Sequence, residues 1–130
     1  MFASWMKLRS TVEQTTANVK QASGLASGIQ QKHTQESYEK AQSGDPEAIY
    51  DLGERFYDGR GLPRDYHQAA EWFAKAAEVG HIKAQTNLGL MYIAGRGVPK
   101  DRSRAINYLK RSAQAGDTIA QDTLRKIAGK

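Results

Sequence analysis

The sequence contains no cysteine, and this absence removes several classes of fold and site. Without thiols there is no disulfide framework and no thiolate metal site, so small disulfide-stapled secreted domains are a poor template. No stretch approaches the ~20 consecutive apolar residues of a membrane-spanning helix. The opening MFASWMKLRS also lacks the basic start, apolar core and cleavage site of an export signal. We therefore expect a cytoplasmic protein without a membrane span.

Motifs for catalysis are also scarce. His33, His67 and His81 are far apart, and no two of them have the i, i+4 spacing that binds a metal on one helix face. No serine lies in a G-x-S-x-G turn, and the two G-R-G turns lack the lysine of a phosphate-binding loop. We therefore expect no catalytic residue, no metal, no cofactor and no small-molecule substrate, so the protein is not expected to be an enzyme.

The most informative feature of the sequence is a segment that occurs twice. Residues 45–80 superpose on residues 81–116 after a shift of 36 positions, without a gap. A fixed period of this length indicates a repeat protein, in which each unit buries its apolar face against its neighbours. Identical residues include the pairs Ala48 and Ala84, Leu52 and Leu88, Gly53 and Gly89, Gly59 and Gly95, Pro63 and Pro99, and Asp65 and Asp101.

Each copy is predicted to form two helices around a glycine-rich turn. In the first copy, Ala48, Leu52 and Phe56 recur every four residues, which indicates a helix with one buried stripe, called helix A below. After the turn, Asp65 is a suitable N-cap for a second helix, called helix B, and Gly80 is placed to end it. The second copy repeats this order.

A glycine interrupts each predicted helix A, at Gly53 in the first copy and at Gly89 in the second. Glycine inside a helix costs ~1 kcal/mol relative to alanine, so its presence at both places needs a reason. The sequence predicts that a neighbouring helix approaches closely at these positions.

The motif shared by both copies resembles that of a known family. It reads A-x3-LG-x2-[FY]-x2-GRG-[LV]-P-x-D-x3-A-x2-[WY]-x2-[KR]-x-A-x2-G and resembles the Sel-one-like repeat, a relative of the tetratricopeptide repeat. The resemblance implies an all-α fold, a right-handed superhelical solenoid of antiparallel helix pairs. It also implies an adaptor or scaffold that binds another protein, with many bacterial relatives. Residues 117–130 resemble the start of a third copy and are expected to cap the C-terminal end.

Residues 1–33 belong to neither copy. Their apolar residues alternate at spacings of three and four, which predicts one stripe of a helix. Two interpretations stay open: a cap on the first repeat, or a docking helix that self-associates through residues 5–29. Residues 34–44 then resemble a degenerate half-repeat. The stripe consists of Trp5, Leu8, Val12, Thr15, Val19, Ala22, Ala26 and Ile29.

A candidate binding surface lies beside the buried stripe of each helix A. In the architecture that the resemblance implies, this face is concave, and we expect its two tyrosines, with Leu90 and Ile93, to anchor a segment of a partner protein. Basic residues of that segment would lie opposite Glu47 and Glu54. The alternatives are that residues 1–33 or the next repeat cover this face. The surface comprises Glu47, Tyr50, Glu54, Tyr57 and Asp58 in the first copy and Lys83, Thr86, Leu90 and Ile93 in the second.

Charge is distributed unevenly between the two copies. Residues 45–80 carry four basic and eight acidic side chains (4 − 8 = −4), whereas residues 81–116 carry seven basic and one acidic (7 − 1 = +6). The basic copy could attract an anionic partner, or it could simply be a solvated face. Nucleic acid is disfavoured, because the second copy lacks the stacking aromatics that single strands need and the sequence contains no groove-reading motif. The alternative site is therefore a basic face on the second helix B, comprising Arg102, Arg104, Lys110 and Arg111.

Overall fold

The computed structural model describes residues 28–129, and six α-helices account for most of this range. Residues 28–129 contain no β-strand, so the predicted all-α fold is confirmed. None of the helices in this range is long and apolar enough to cross a bilayer. The helices are α1 (Gly28–Gln42), α2 (Pro46–Asp58), α3 (Tyr66–Glu78), α4 (Ile82–Ala94), α5 (Arg102–Gln114) and α6 (Thr118–Ala128).

Five of these helices begin at a side chain that caps the first turn. The aspartates that precede α2, α3, α5 and α6 each accept a hydrogen bond from a backbone amide of that turn. Before α4 the residue is His81, whose Nδ1 atom accepts from the amide of Ala84 at 3.1 Å. These bonds satisfy amides that have no partner within the helix, and they fix where each helix begins.

The helices stack in chain order. Helices α2 and α3 form the A and B helices of the first copy, and α4 and α5 form those of the second. Each helix from α1 to α5 packs on the one that follows it. The turn between helices A and B needs left-handed backbone, which glycine adopts at no steric cost, and Gly59 and Gly95 have φ angles of 72° and 68°. The solenoid predicted from the repeat is therefore confirmed.

The glycines inside the A helices lie where helix B crosses. A Cβ atom at Gly53 would be 2.5 Å from Cδ1 of the Phe73 ring, and one at Gly89 would be 2.8 Å from Cγ of Leu109. Real Cβ atoms are not found at such distances, so a side chain at either position would force the helices apart. The prediction of a close helix approach is confirmed at both glycines.

Helix α1 is tied to the first repeat by an aromatic contact and by polar bonds. The Tyr38 ring meets Trp72 of α3 edge-on at a centroid distance of 6.0 Å, and both side chains are buried. Arg55 of α2 donates from Nε to the Asp51 carboxylate at 2.8 Å and from a terminal nitrogen to the Thr34 hydroxyl at 3.1 Å. Together these contacts hold α1 against the N-terminal side of the first repeat.

Helix α1 runs without a break through residue 33, where the sequence suggested a boundary between an N-terminal helix and a half-repeat. The remainder of the predicted N-terminal helix, and nearly all of its apolar stripe, lies outside the described residues. The cap and the self-associating helix therefore both stay predictions.

Candidate functional site

An open groove of about 410 Å³ lies between the two A helices, α2 and α4. We call it the helix A groove. Both helices pack on α3, and the Phe73 ring of α3 forms part of the floor of the groove. The groove is lined by Glu54, Tyr57, Asp58, Phe73, Asn87, Leu90, Met91, Ala94 and Arg96.

The two walls of the helix A groove differ in chemistry. The α2 wall carries Glu54 and Asp58, whose i, i+4 spacing puts two carboxylates on one side of the helix. The α4 wall carries the half-buried side chain of Leu90 and the exposed one of Ala94, again four residues apart. The groove therefore offers an apolar contact on one side and negative charge on the other.

Arg96 and Tyr57 close one end of the groove together. A terminal nitrogen of Arg96 donates to the Tyr57 hydroxyl at 2.7 Å, and this hydrogen bond raises the pKa of the guanidinium above its usual value. The guanidinium carbon also lies 5.9 Å from the Tyr57 ring centroid and 5.3 Å from that of Tyr66. These contacts hold the Tyr57 ring in one orientation, so it can act as a rigid aromatic contact.

Four of the nine residues predicted for the binding surface meet in this groove: Glu54, Tyr57, Asp58 and Leu90. Lys83 is exposed but does not line it, and Ile93 is half-buried rather than exposed as expected. Glu47 is also exposed, and its carboxylate receives a hydrogen bond from Nε2 of His81 at 2.7 Å.

Tyr50 does not line the groove, contrary to the sequence prediction. Its ring stacks on His81 at a centroid distance of 4.3 Å and packs on Phe73 at 5.5 Å. Its hydroxyl accepts a hydrogen bond from the amide of Asn87 at 3.3 Å, and partial burial raises the pKa of the phenol. Tyr50 thus connects α2 to the beginning of α4, and its large side chain packs between the two repeats.

The prediction that Thr86 faces a partner is wrong. Its side chain is 2% exposed, and its hydroxyl donates to the carbonyl of Ile82 within α4 at 3.4 Å. Thr86 occupies the same place in the second helix A as Tyr50 does in the first. A small side chain at that place is fully enclosed, which the helical spacing could not reveal.

The surface predicted from the sequence does not include five residues of the groove: Phe73, Asn87, Met91, Ala94 and Arg96. Asn87 lies three residues before Leu90, so the same helical spacing could have identified it. Met91 follows Leu90 and is 3% exposed, which makes it part of the core as well as of the groove floor. Arg96 belongs to the G-R-G turn, whose path back across the groove end cannot be inferred from helical periodicity.

The basic face predicted on the second helix B is not one surface. A second, smaller pocket of about 170 Å³ is lined by Arg104, Asn107, Tyr108 and Arg111. Successive residues of an α-helix are ~100° apart around its axis, so Arg102 and Lys110 point to other sides of α5. Neither lines the pocket. Of the four predicted residues, Arg104 and Arg111 therefore line one pocket, whereas Arg102 and Lys110 do not.

No group of three side chains among residues 28–129 is arranged to hold a metal ion.

Comparison with protein-family models matches residues 46–81 and 82–117 to the Sel1 repeat. These two segments correspond closely to the two copies and cover more than half of the chain. A search of curated proteins found no significant match.

Solved structures of repeat proteins resemble this chain. A Sel1 repeat protein from Oxalobacter formigenes is 41% identical over 67% of this chain, with a TM-score of 0.66. The protective antigen c5321 of uropathogenic Escherichia coli, which displays an SLR fold, is 40% identical over 64%, with a TM-score of 0.63. This chain spans 25% of the first protein and 18% of the second.

Helicobacter pylori cysteine rich protein B covers more of the chain at lower identity. It is 20% identical over 89% of this chain and 90% of its own, with a TM-score of 0.69. At that identity the similarity concerns the fold alone. It matches the stacked helix order from which the helix A groove is formed.

Proposed function

Because the chain belongs to the Sel1 repeat family, whose members are generally non-catalytic protein-interaction scaffolds, we propose that it is an adaptor that holds a segment of a partner protein in the helix A groove. The cytoplasmic location expected from the sequence belongs to the same proposal, and fractionation of the native cells would test it.

The observation that carries this proposal is the pairing of an apolar wall with an acidic wall in one open groove. Leu90 and Ala94 offer apolar surface that no other helix among residues 28–129 covers completely. Tyr57 adds an aromatic ring whose orientation Arg96 fixes. Rigid aromatic and aliphatic contacts surrounded by polar groups are typical of the residues that contribute most to protein binding.

The partner's chemistry follows from the two walls. An apolar side chain of the partner would contact Leu90 and Ala94, and a lysine or arginine would face Glu54 and Asp58. A groove of about 410 Å³ accommodates a few side chains of a peptide, not a whole domain. The ligand is therefore a short extended or helical segment of another protein, in which an apolar residue lies near a basic one.

Selection from a displayed library of random peptides tests this assignment without knowledge of the natural partner. Peptides enriched on the chain should combine an apolar residue with a nearby lysine or arginine. The blocking variant is Ala94→Arg, which puts a long cationic side chain on an exposed groove position at the last residue of α4. The matched control is Ala128→Arg, since Ala128 is exposed at the last residue of α6 and lies outside the groove.

We expect Ala94→Arg to weaken a selected peptide at least ten-fold, measured by calorimetry, and Ala128→Arg to leave it within two-fold. The two variants have the same net charge, so a difference between them reports position and not electrostatics. Equal affinities of the two folded variants would contradict the groove assignment, as would enriched peptides without basic residues.

A further inference from the structure

A second surface, on α5, has a different chemistry from the groove. It consists of Arg104, Asn107, Tyr108 and Arg111, which line the pocket of about 170 Å³, and we call it the α5 basic surface. Residues at these spacings of three, four and seven share one side of a helix. The surface has no residue in common with the helix A groove.

The same positions are closed in the first copy and open in the second. In the first copy, Trp72 is 3% exposed because Tyr38 of α1 packs on it. Lys75 lies 4.3 Å from the Trp72 ring centroid, and burial lowers the pKa of its amine. In the second copy the counterparts are Tyr108, which is only half-buried, and the exposed Arg111. A buried packing site in one repeat thus becomes an accessible cationic pocket in the next.

An aromatic ring lies beside each of the two guanidinium groups of this pocket. The guanidinium carbon of Arg104 is 5.8 Å from the Tyr92 ring centroid, and one of its nitrogens donates to the Tyr92 hydroxyl at 3.3 Å. That of Arg111 is 5.9 Å from the Tyr108 ring centroid. A side chain ordered before binding loses less entropy when it binds, so these contacts favour recognition of an anion.

The positive charge of this surface is largely uncompensated. The one acidic residue between positions 81 and 116 is Asp101, whose carboxylate lies 3.5 Å from Nε of Arg104. Within residues 28–129, no carboxylate lies at ion-pair distance from Arg111. Since residues 81–116 carry a net charge of +6, an anionic group gains attraction from the whole repeat as well as from the pocket.

We propose that the α5 basic surface binds an acidic peptide segment, with glutamate or aspartate side chains paired to Arg104 and Arg111. Asn107 lies between the two arginines, and its amide can both donate to and accept from the peptide backbone. Single-stranded nucleic acid fits less well. The rings of Tyr92 and Tyr108 stack parallel on each other at 6.1 Å, and a guanidinium carbon lies within 6 Å of each ring centroid, so a base would have to compete with these contacts to stack on either ring.

The spacing of the arginines specifies the segment further. Arg104 and Arg111 are seven residues apart on α5, which is ~10 Å along the helix axis at ~1.5 Å per residue. A polyproline II segment rises ~3.1 Å per residue and returns to the same side every third residue, or ~9 Å. Acidic residues three positions apart in an extended segment therefore match the two arginines.

Titration of the isotope-labelled chain by NMR tests this surface with defined probes. The first probe is a short peptide that repeats Glu-Ser-Gly, and its control repeats Gln-Ser-Gly, so the two differ in charge alone. A single-stranded oligouridine of similar length is the competing probe. The signals of the arginine Nε–Hε groups report contact at Arg104 and Arg111 directly.

The matched variants remove the same charge from the same helix. Arg104→Gln with Arg111→Gln removes the converging pair, and Arg102→Gln with Lys110→Gln removes the exposed pair that lies elsewhere on α5. We expect the first double variant to weaken the glutamate peptide at least ten-fold and the second to weaken it less than three-fold. The single variant Arg111→Gln should give an intermediate loss, and it serves if the first double variant does not fold.

Three results would overturn the proposal. Equal losses in the two double variants would mean general attraction to a basic repeat. Similar affinity for the glutamate and glutamine peptides would mean that acidic side chains are not recognised. Tighter binding of oligouridine than of the glutamate peptide would assign the surface to nucleic acid.

Discussion

A side chain added at Gly53 would disturb the packing of helix A on helix B in the first copy. In an open helix, glycine to alanine stabilises by up to ~1 kcal/mol. Here the new Cβ would lie 2.5 Å from the Phe73 ring, so we expect Gly53→Ala to lower the free energy of unfolding by about 1 kcal/mol or more. Urea unfolding of the two proteins measures the sign of the change.

The control for Gly53→Ala is to repeat it in a Phe73→Leu background. The smaller side chain leaves room for the Cβ, so the two substitutions should cost less together than the sum of their separate costs. Additive losses would show that the Phe73 ring is not what excludes a side chain at position 53.

His81 acts as a capping residue where the other copies of the repeat have aspartate. Its Nδ1 atom accepts from the amide of Ala84, and its ring stacks on Tyr50. We expect His81→Ala to destabilise the protein by about 1–2 kcal/mol. His81→Asn should recover part of that loss, because its side-chain oxygen can cap α4. Thermal unfolding of both variants checks the order, and equal losses would contradict the capping role.

The buried phenol of Tyr38 is expected to make the stability of the protein fall at alkaline pH. Its ring is 1% exposed, and burial raises the pKa of the phenol above its usual value of about 10. Above that pH the unfolded chain loses the proton while the folded chain keeps it, so stability falls by ~1.4 kcal/mol per pH unit from this residue. Below pH 10 the effect is absent.

Tyr38→Phe should remove this part of the alkaline loss of stability. The hydroxyl of Tyr38 has no hydrogen-bond partner among the described residues, so we also expect no loss of stability at neutral pH. Unfolding curves of the wild type and the variant at neutral and alkaline pH give the comparison. Parallel pH profiles, or a clear loss at neutral pH, would show that the hydroxyl is solvated or bonded.

At the level of elements, α1 depends on bonds to α2 that no repeat motif contains. Arg55 is 8% exposed and links the Asp51 carboxylate to the Thr34 hydroxyl of α1. Arg55→Ala leaves these groups without that donor, so we expect it to destabilise the protein by about 2–3 kcal/mol. Amide exchange should rise most in α1, whereas α4 and α5 should change less. A uniform increase across all helices would contradict a local role.

The helices themselves could be predicted from the sequence because each has local determinants. Asp65 and Asp101 mark where the B helices begin, and the glycines of the turns need a backbone that other residues avoid. The division that was predicted at residue 33 has no such determinant. The sequence around it carries no cap or turn strong enough to end a helix, and α1 continues through it.

The candidate site could be predicted only in part, since helical spacing gives the direction of a side chain and not what covers it. Glu54 and Leu90 reach an open groove from neighbouring helices. Thr86 occupies the same place in its helix as Tyr50 but is buried. Arg102 and Arg104 are both basic, yet their separation around the axis of α5 places one of them in a pocket and one outside it.

At the scale of the whole molecule, two copies of one repeat motif give two unlike surfaces. The helix A groove joins the acidic first copy to the second, and the α5 basic surface belongs to the second copy alone. A solenoid allows this, because each repeat contacts only its neighbours and its outward residues can vary without loss of the stack. On the two proposals above, the two surfaces would bind segments of opposite charge.

The helix A groove is the proposed binding site for a partner segment. The most direct measurement is site-specific photocrosslinking in the native cell, with the photoreactive residue at position 94 or, as the matched control, at position 128. We predict that position 94 crosslinks to a discrete protein, through a segment in which a basic residue lies beside an apolar one. We also predict that position 128 does not crosslink to that segment. Capture of the same segment from both positions, or from position 128 alone, would contradict the groove as the binding site.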